Sequence, residues 1–247
     1  NVIRVMDSLD ADLYALQEIH SSDALGELLK PLTGYEGFTA GHVYKGQKMA
    51  FVYNTNTIDS LEAGAVLDVR EPYRQDWKYY WANGRTPMYF RFDYTSAEGQ
   101  TTDFFAIVIH GKANTGRSAE EYEEAYERRR KAAEGLYYYL LEEQPNANII
   151  LLGDYNDDVD ESLYYYSQNN FAPTPYTEFM KDKKNFKIIT RILSNNKESS
   201  SVNFLKEGNL VDHITMSDEL FRLYIDESAE VYDAPLEYIP NYESTTS

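Results

Sequence analysis

The chain has 247 residues, of which 43% are hydrophobic, and its formal net charge at pH 7 is -18. A chain of this size can bury one substantial core, while the acidity argues against a protein that holds nucleic acid on a broad basic surface. The sequence contains no cysteine, which excludes disulfides and thiolate metal sites. No apolar run approaches the roughly 18 to 20 residues that span a membrane, so we expect no stable membrane insertion.

Hydrophobic periodicity predicts helices and strands through the first two thirds of the chain. In chain order they are a helix at 2–9, a strand at 13–16, a helix at 22–29, strands at 49–53, 62–69, 87–94 and 102–109, a helix at 118–141 and a strand at 148–152. Ser118 and Glu121 form a capping-box pattern at the start of the long helix, and Pro145 follows its end. A strand, a crossover helix and a strand in this order predict two strands that are parallel or near neighbours in one sheet.

The pattern is weaker after residue 158. We predict short helices at 160–167 and 176–180, a strand at 188–193, an exposed loop at 194–201 and a strand at 210–216. No internal repeat and no interdomain linker is visible, so we expect a single domain over residues 1–247.

The segment from 148 to 158 carries the strongest functional signal. Four consecutive branched apolar residues predict a buried strand, which must end at Gly153. Asp154 and Asn156 then lie at a strand end that faces a surface, where a carboxylate and a carboxamide suit a hard cation or an activated water. Two further acids, Asp157 and Asp158, follow directly, and we interpret them as part of the same site. An ordinary acidic turn explains the same residues, because Gly, Asn and Asp are common in turns.

Other predicted strand ends also carry ionisable side chains. Glu18 and His110 each follow an apolar strand, and Asp212 lies inside one. Ligand sites in α/β sheets lie outside strand ends, where different strands converge. Each residue alone has a structural explanation: Glu18 can stabilise a helix N-terminus, and His110 can be a hydrogen-bonded structural histidine. A carboxylate in an apolar strand is costly unless it is paired, so Asp212 requires a partner.

Five short motifs occur in order along the chain. They are Leu16-Gln17-Glu18, Arg85-Thr86-Pro87, Ile109-His110-Gly111-Lys112, Gly153-Asp154-Tyr155-Asn156 and Val211-Asp212-His213-Ile214. Their order and spacing resemble the endonuclease/exonuclease/phosphatase superfamily over residues 1–247. The resemblance implies an α/β protein with the deoxyribonuclease I-like fold, a four-layer α-β-β-α sandwich of two mixed sheets.

The same resemblance implies a metal-dependent phosphoesterase, most similar to the nucleases, that hydrolyses phosphodiester bonds by in-line attack of water. It implies that Glu18 ligates Mg²⁺ or Mn²⁺, which prefer oxygen ligands. His110 would hydrogen-bond a phosphoryl oxygen. Asp154 would position or deprotonate the attacking water, and Asn156 would orient that water or the phosphate.

The resemblance further implies that Arg85 contacts the substrate phosphate and that Asp212 orients and charges a catalytic histidine. Lys112 is expected to bind the substrate as part of a local positive rim. The expected partner is a phosphodiester substrate, with nucleic acid, a lipid headgroup and a small nucleotide as the open alternatives. No protein partner can be inferred. A secreted or periplasmic location is favoured by the resemblance alone.

The chain departs from the family pattern in two places. The sequence contains neither the terminal Ser-Asp-His motif, whose histidine pairs with the equivalent of Asp212, nor the asparagine of the family's first strand. His213 cannot replace that histidine, because adjacent residues of a strand point to opposite faces. We therefore expect a domain truncated at both ends, inactive as this chain alone. A non-catalytic binding module on the same fold is the alternative.

Overall fold

The computed structural model describes residues 1–44, 46–167, 170–194 and 209–232. Its elements are α1 (Val2–Leu9), β1 (Leu13–Ile19), α2 (Ser22–Leu29), β2 (Tyr35–Thr39), β3 (Lys48–Asn54), β4 (Ile58–Ala65), α3 (Trp77–Tyr80), β5 (Met88–Thr95), β6 (Thr101–His110), α4 (Ala119–Glu143), β7 (Ile149–Asp154), β8 (Tyr165–Ser167), β9 (Asn170–Phe171), α5 (Thr177–Lys181), β10 (Phe186–Ile188), α6 (Arg191–Ser194), β11 (Asp212–Ser217) and a 3₁₀ helix (Asp218–Leu223). The loop predicted at 194–201 lies, apart from Ser194, outside the described residues. In the part of the chain described, no helix is both long and apolar enough to cross a membrane.

The larger sheet has the strand order β10-β11-β7-β6-β5-β4. β6 and β7 are parallel, and α4 connects them, as the strand–helix–strand pattern predicted. All other neighbours in this sheet are antiparallel. The Ser118 hydroxyl caps α4 by accepting a hydrogen bond from the Glu121 backbone N–H, which confirms one half of the predicted capping box.

The smaller sheet has the order β1-β3-β2 and packs face to face on the larger one. Side chains alternate along each strand: Phe51 of β3 points between the sheets, while Val52 packs against α1 and α2. Likewise Val108 of β6 lies between the sheets, and Ile107 packs beneath α4. These layers confirm the predicted four-layer sandwich. Only the larger sheet is mixed, because the described strands of the smaller sheet are antiparallel throughout.

The helix predicted at 160–167 is wrong, because a side chain binds the backbone there. The buried Asp157 carboxylate accepts hydrogen bonds from the Leu163 backbone N–H at 2.6 Å and from the Ser162 hydroxyl at 2.9 Å. Such contacts favour a loop over a helix. The segment then forms β8, which pairs with β9 as a hairpin.

The strand predicted at 188–193 is wrong beyond its first residue. β10 ends at Ile188, and α6 begins at Arg191. Between them the Thr190 hydroxyl accepts a hydrogen bond from the Ile214 backbone N–H at 3.1 Å, so a side chain replaces the strand partner.

Three other elements differ from prediction. β4 lies earlier than the strand predicted at 62–69, because it pairs with β5 from Ile58 onwards. β2 was not predicted, and neither was α3. Trp77 explains α3: its ring is buried in the core beneath α4, and its indole N–H donates to the Val66 carbonyl at 2.6 Å.

Gly153 at the end of β7 is expected to tolerate no side chain. Its φ of 129° lies in a region that L-residues rarely adopt, and an added Cβ would overlap the carbonyl oxygen of Ile109 on β6. We expect Gly153→Ala to lower the free energy of unfolding by about 2 to 3 kcal/mol, measured by urea denaturation. The control is Gly26→Ala in α2, where nothing lies within 4 Å. It should raise stability by about 0.5 to 1 kcal/mol. An equal effect at both positions would contradict this explanation.

Candidate active site

Three strand ends of the larger sheet bring predicted site residues together. His110 ends β6 and lies opposite Asp154 in the parallel ladder. Asp212 begins β11 and lies opposite Asp154 on its other side, in the antiparallel ladder. The backbone register of neighbouring strands therefore places an imidazole and two carboxyl groups in one row across the end of the sheet.

Asp154 and Asn156 form a tight turn directly after β7. The Asn156 backbone N–H donates to Asp154 Oδ1 at 2.7 Å, and its side-chain amide donates to Asp154 Oδ2 at 3.0 Å. The same amide lies 3.2 Å from the Gly111 carbonyl at the end of β6. Asn156 has a φ of 53°, which asparagine adopts more readily than most residues. Both oxygens of the Asp154 carboxylate are thus oriented before any ligand binds.

The pKa of Asp154 is raised from 3.8 to about 7, first by burial and then by the nearby Asp212 carboxylate, with Glu18 adding a smaller effect. The hydrogen bond from the Asn156 backbone N–H and the positive charge of Arg85 act in the opposite direction. A carboxyl group with a pKa near neutrality can both accept and release a proton at physiological pH, as a general base requires.

His110 is buried, and its ring is neutral. Burial and the neighbouring Arg85 guanidinium lower its pKa to about 3. Its Nε2 lies 3.4 Å from Asp154 Oδ2, which is longer than an ordinary hydrogen bond, and because the ring is neutral the contact is not an ion pair. Nδ1 is buried without a hydrogen-bond partner among the residues that the structure describes. A neutral imidazole can still donate one N–H to a phosphoryl oxygen.

Arg85 reaches the same place from the loop before β5. Its guanidinium donates from Nη2 to the Gly111 carbonyl at 2.6 Å and from Nη1 to Gln47 Oε1 at 2.9 Å. Burial lowers its pKa, while the negative charges of Asp154 and Glu18 act against that decrease. Nε is buried and has no partner within the described residues. A largely desolvated cation between two carboxylates is suited to bind an anionic group.

Glu18 lies at a bulge of β1, exposed and with a φ of 60°. The Gln17 side chain lies beside Gly153, so this end of the smaller sheet meets the end of β7. The side-chain amide of Gln47 approaches Glu18 Oε1 at 3.4 Å. In the described parts of the chain, no group of three or more His, Asp or Glu side chains lies close enough to hold a metal ion.

Lys112 is half-buried and binds its own loop. Its ammonium donates to the Ala113 carbonyl at 3.0 Å and to the Thr115 hydroxyl at 3.2 Å. Burial lowers the pKa of Lys112, and the positive charges of Arg128, Arg129 and Arg85 add to that effect. The structure thus places Lys112 beside Gly111 but fastens its ammonium to residues 113 and 115.

Two further acids follow the Asp154 turn, and the structure shows that neither belongs to the site. The interpretation of Asp157 and Asp158 as part of a cation or water site is wrong. Asp157 is fully buried in an ion pair with Arg129 of α4, at 2.9 Å. Asp158 is also buried and accepts hydrogen bonds from backbone N–H groups, including that of Leu210 at 2.8 Å.

His213 points away from Asp212, as strand alternation predicted. Its Nε2 donates to the Leu210 carbonyl at 2.9 Å, which leaves Nδ1 to accept from the Thr190 hydroxyl at 3.0 Å. The ring is buried and packs against Tyr155. His213 is therefore a structural residue. Gln47, which contacts two site residues, was not predicted, because no local pattern distinguishes it from other loop residues.

The raised pKa of Asp154 predicts a pH-dependent cost to stability. A carboxyl group that binds its proton more tightly in the folded state destabilises the protein as pH rises from 3.8 to about 7. Asp154→Asn cannot ionise, so in EDTA it should be more stable than the wild type at pH 8 but not at pH 4. We expect Asp154→Asn to raise the free energy of unfolding at pH 8 by about 2 kcal/mol. The pKa shift of Asp154 alone corresponds to about 4 kcal/mol, but the new amide loses a contact with Asn156.

Thermal denaturation at the two pH values measures this difference. Asp59→Asn changes an exposed carboxylate on β4 and serves as the control, and it should stabilise the protein less at pH 8 than Asp154→Asn does. A stabilisation by Asp154→Asn that is the same at pH 4 and pH 8 would contradict the prediction.

Comparison with known proteins identifies the fold and the family of this chain. The model of the endonuclease/exonuclease/phosphatase family matches residues 1–224. The catalytic domain of human Nocturnin, solved with a bound sulfate anion, is 18% identical with a TM-score of 0.58, over 88% of this chain and 73% of that one. A family protein from Bacteroides thetaiotaomicron is 16% identical with a TM-score of 0.57, over the same 88% and 73%.

D. rerio TDP2, solved with a single-strand DNA product, is 11% identical with a TM-score of 0.58, over 93% of this chain and 77% of that one. These likenesses show the deoxyribonuclease I-like fold. A search of curated proteins found no match. The family match covers most of the chain, from α1 to the residue after the 3₁₀ helix. The chain belongs to the endonuclease/exonuclease/phosphatase family, whose members are hydrolases that act on phosphate esters.

Proposed function

We propose that this protein is a divalent-metal-dependent phosphoesterase that hydrolyses phosphodiester bonds by in-line attack of water, and that it acts as a nuclease. The observation that carries the proposal is the Asp154 carboxyl group. It is oriented by Asn156, has a pKa of about 7, and lies beside the imidazole of His110 and the guanidinium of Arg85. Family membership supplies the reaction class, and this arrangement supplies a base next to groups that bind an anion.

In the proposed reaction, Asp154 positions or deprotonates the attacking water, and Asn156 holds the carboxylate or the phosphate in place. Arg85 binds a phosphate oxygen through the N–H groups that its protein contacts leave free. Lys112 binds the phosphate as well when its ammonium leaves its contacts with residues 113 and 115. His110 donates an N–H to a phosphoryl oxygen as negative charge develops there. Preorganised donors of this kind stabilise the transition state more than the ground state.

Asp212 acts on Asp154 in this proposal. Its negative charge raises the pKa of Asp154 and so makes the carboxylate a stronger base. By family resemblance it also orients a catalytic histidine. We further propose that residues 1–247 belong to a single domain, because the described elements form one continuous four-layer sandwich.

Glu18 would hold Mg²⁺ or Mn²⁺. The carboxylate is exposed and supplies a hard oxygen donor, and it adds to the negative charge felt by Asp154. The described residues offer no complete protein cage. Mg²⁺ does not require one, because it commonly binds one or two carboxylates and completes its shell with water and substrate phosphate. The bound ion would stabilise negative charge on the phosphate and the leaving oxygen.

Two observations bear on the nature of the substrate. The likeness to D. rerio TDP2, which was solved with a single-strand DNA product, supports nucleic acid. The net charge of -18 disfavours tight binding of a long polyanion and supports the second candidate, a phosphatase or phospholipase-type enzyme that acts on a small-molecule or lipid phosphate.

The test is hydrolysis by the full-length protein in Mg²⁺, in Mn²⁺ and in EDTA. The substrates are bis-p-nitrophenyl phosphate, plasmid DNA, a single-stranded oligonucleotide and a p-nitrophenyl monoester. We expect cleavage of the diesters that requires metal. Turnover of the monoester alone would favour the phosphatase. A folded protein without any turnover would support the non-catalytic binding module instead.

A further inference from the structure

Gln47 connects the two sides of the proposed site. Its side-chain oxygen accepts a hydrogen bond from Arg85 Nη1 at 2.9 Å, and its side-chain nitrogen approaches Glu18 Oε1 at 3.4 Å. The two ends of one neutral amide therefore meet the cation proposed to bind phosphate and the carboxylate proposed to bind metal. Gln47 holds a φ of 67°, an unfavourable conformation for glutamine that persists only where surrounding contacts impose it.

Hydrogen bonds hold the chain on both sides of Gln47. On one side, the Lys48 ammonium donates to the carbonyls of Ala40 and Val43, which fastens the preceding loop to the start of β3. On the other, the His42 Nε2–H donates at 2.8 Å to the carbonyl of Thr86, the residue after Arg85. Two separate hydrogen bonds therefore join the loop that carries Gln47 to the loop that carries Arg85. One runs from Arg85 to Gln47, and the other from His42 to Thr86.

The side-chain amide of Gln47 contacts two groups of opposite charge, Glu18 and Arg85. Glu18 is close enough to Arg85 to act on its pKa, so the two opposite charges attract each other. A direct ion pair would occupy the carboxylate oxygens and the guanidinium N–H groups that a metal ion and a phosphate would otherwise use. The amide between them offers an acceptor to the cation and a donor to the anion, so it orients both groups while keeping them apart.

We propose that Gln47 is a positioning residue that holds Glu18 available for the metal ion and Arg85 available for the substrate phosphate. This inference rests on the proposed function. Residues that orient a metal ligand through a hydrogen bond commonly contribute about ten- to a hundredfold to metal affinity or activity. Gln47 would act on two ligand groups at once, through opposite ends of its side chain.

The test uses Gln47→Met in the full-length protein, which keeps the length of the side chain and removes both polar atoms. Titration calorimetry with Mn²⁺ alone, after removal of metal by EDTA, should show a Kd raised about tenfold. Steady-state hydrolysis of bis-p-nitrophenyl phosphate at saturating Mn²⁺ should show a raised KM, with kcat changed less. In an Arg85→Ala background, Gln47→Met should raise KM no further.

Gln47→Ala is the second variant, and it should behave as Gln47→Met does. Tyr44→Ala is the matched control, since Tyr44 is 95% exposed in the same loop, and it should leave both Kd and KM unchanged. An active wild type whose Gln47 variants keep the original Kd and KM overturns the positioning role alone. A wild type that neither binds Mn²⁺ nor hydrolyses the diester overturns the proposed function, and this inference with it.

Discussion

Asp154→Ala in the full-length protein is expected to lower kcat for bis-p-nitrophenyl phosphate by about a thousandfold, since general-base catalysis commonly contributes about 10² to 10⁴. The substitution removes the only carboxylate that Asn156 orients at the end of β7 among the described residues. It also removes the group beside His110 Nε2. KM should change less than kcat, because Arg85 and Glu18 remain in place to bind substrate and metal.

The fold of this variant should be retained. Alanine removes a carboxyl group that burial and Asp212 hold at an unfavourably high pKa, so the thermal midpoint at pH 8 should not fall. Asp160→Ala is the control, because it removes an exposed acid six residues further along the same loop. Its kcat should match that of the wild type. An Asp154→Ala protein with activity within tenfold of the wild type would refute the proposed mechanism.

Periodicity predicted most of the helices and strands, whereas the four-layer arrangement was implied by the resemblance to the family. Nearly continuous apolar runs along β3 and β6 are typical of strands buried on both faces. The long capped helix between two apolar strands predicts that those strands are parallel or near neighbours. The pairing places the ends of β6 and β7 side by side, which is why strand-end residues could be grouped as one candidate site from sequence. These inferences depend on patterns within about ten residues, where local sequence largely determines structure.

Long-range contacts could not be predicted in the same way. Asp154 and Asp157 are the same residue type three positions apart, yet one faces the site and the other is buried against Arg129, 28 residues earlier. Local spacing does not distinguish them, because the partner of Asp157 lies on α4, far from it in the sequence. Gln47 was missed for the same reason: its two contacts lie 29 and 38 residues away.

Arg129→Met is expected to lower the free energy of unfolding by about 3 to 5 kcal/mol, the usual cost of removing one partner of a buried ion pair. Both side chains are fully buried. The Arg129 guanidinium donates from Nε to Asp157 Oδ2 and from Nη1 to the Lys112 carbonyl, each at 2.9 Å. Methionine has a similar length but leaves a charged carboxylate without its cation. Because Arg129 joins the loop after β6 to the loop after β7, turnover should fall as well.

Urea denaturation of the full-length protein measures this loss, and two variants isolate its cause. Arg129→Met combined with Asp157→Asn should be less destabilised than Arg129→Met alone, because the uncompensated charge is gone. Arg130→Met on the same helix removes partly exposed ion pairs with Glu127 and Glu134 and should cost at most about 1 kcal/mol. If Arg129→Met costs no more than Arg130→Met, the buried pair does not hold the two loops together, and the rigid placement of Asp154 must come from the strand ladder and the Asn156 turn alone.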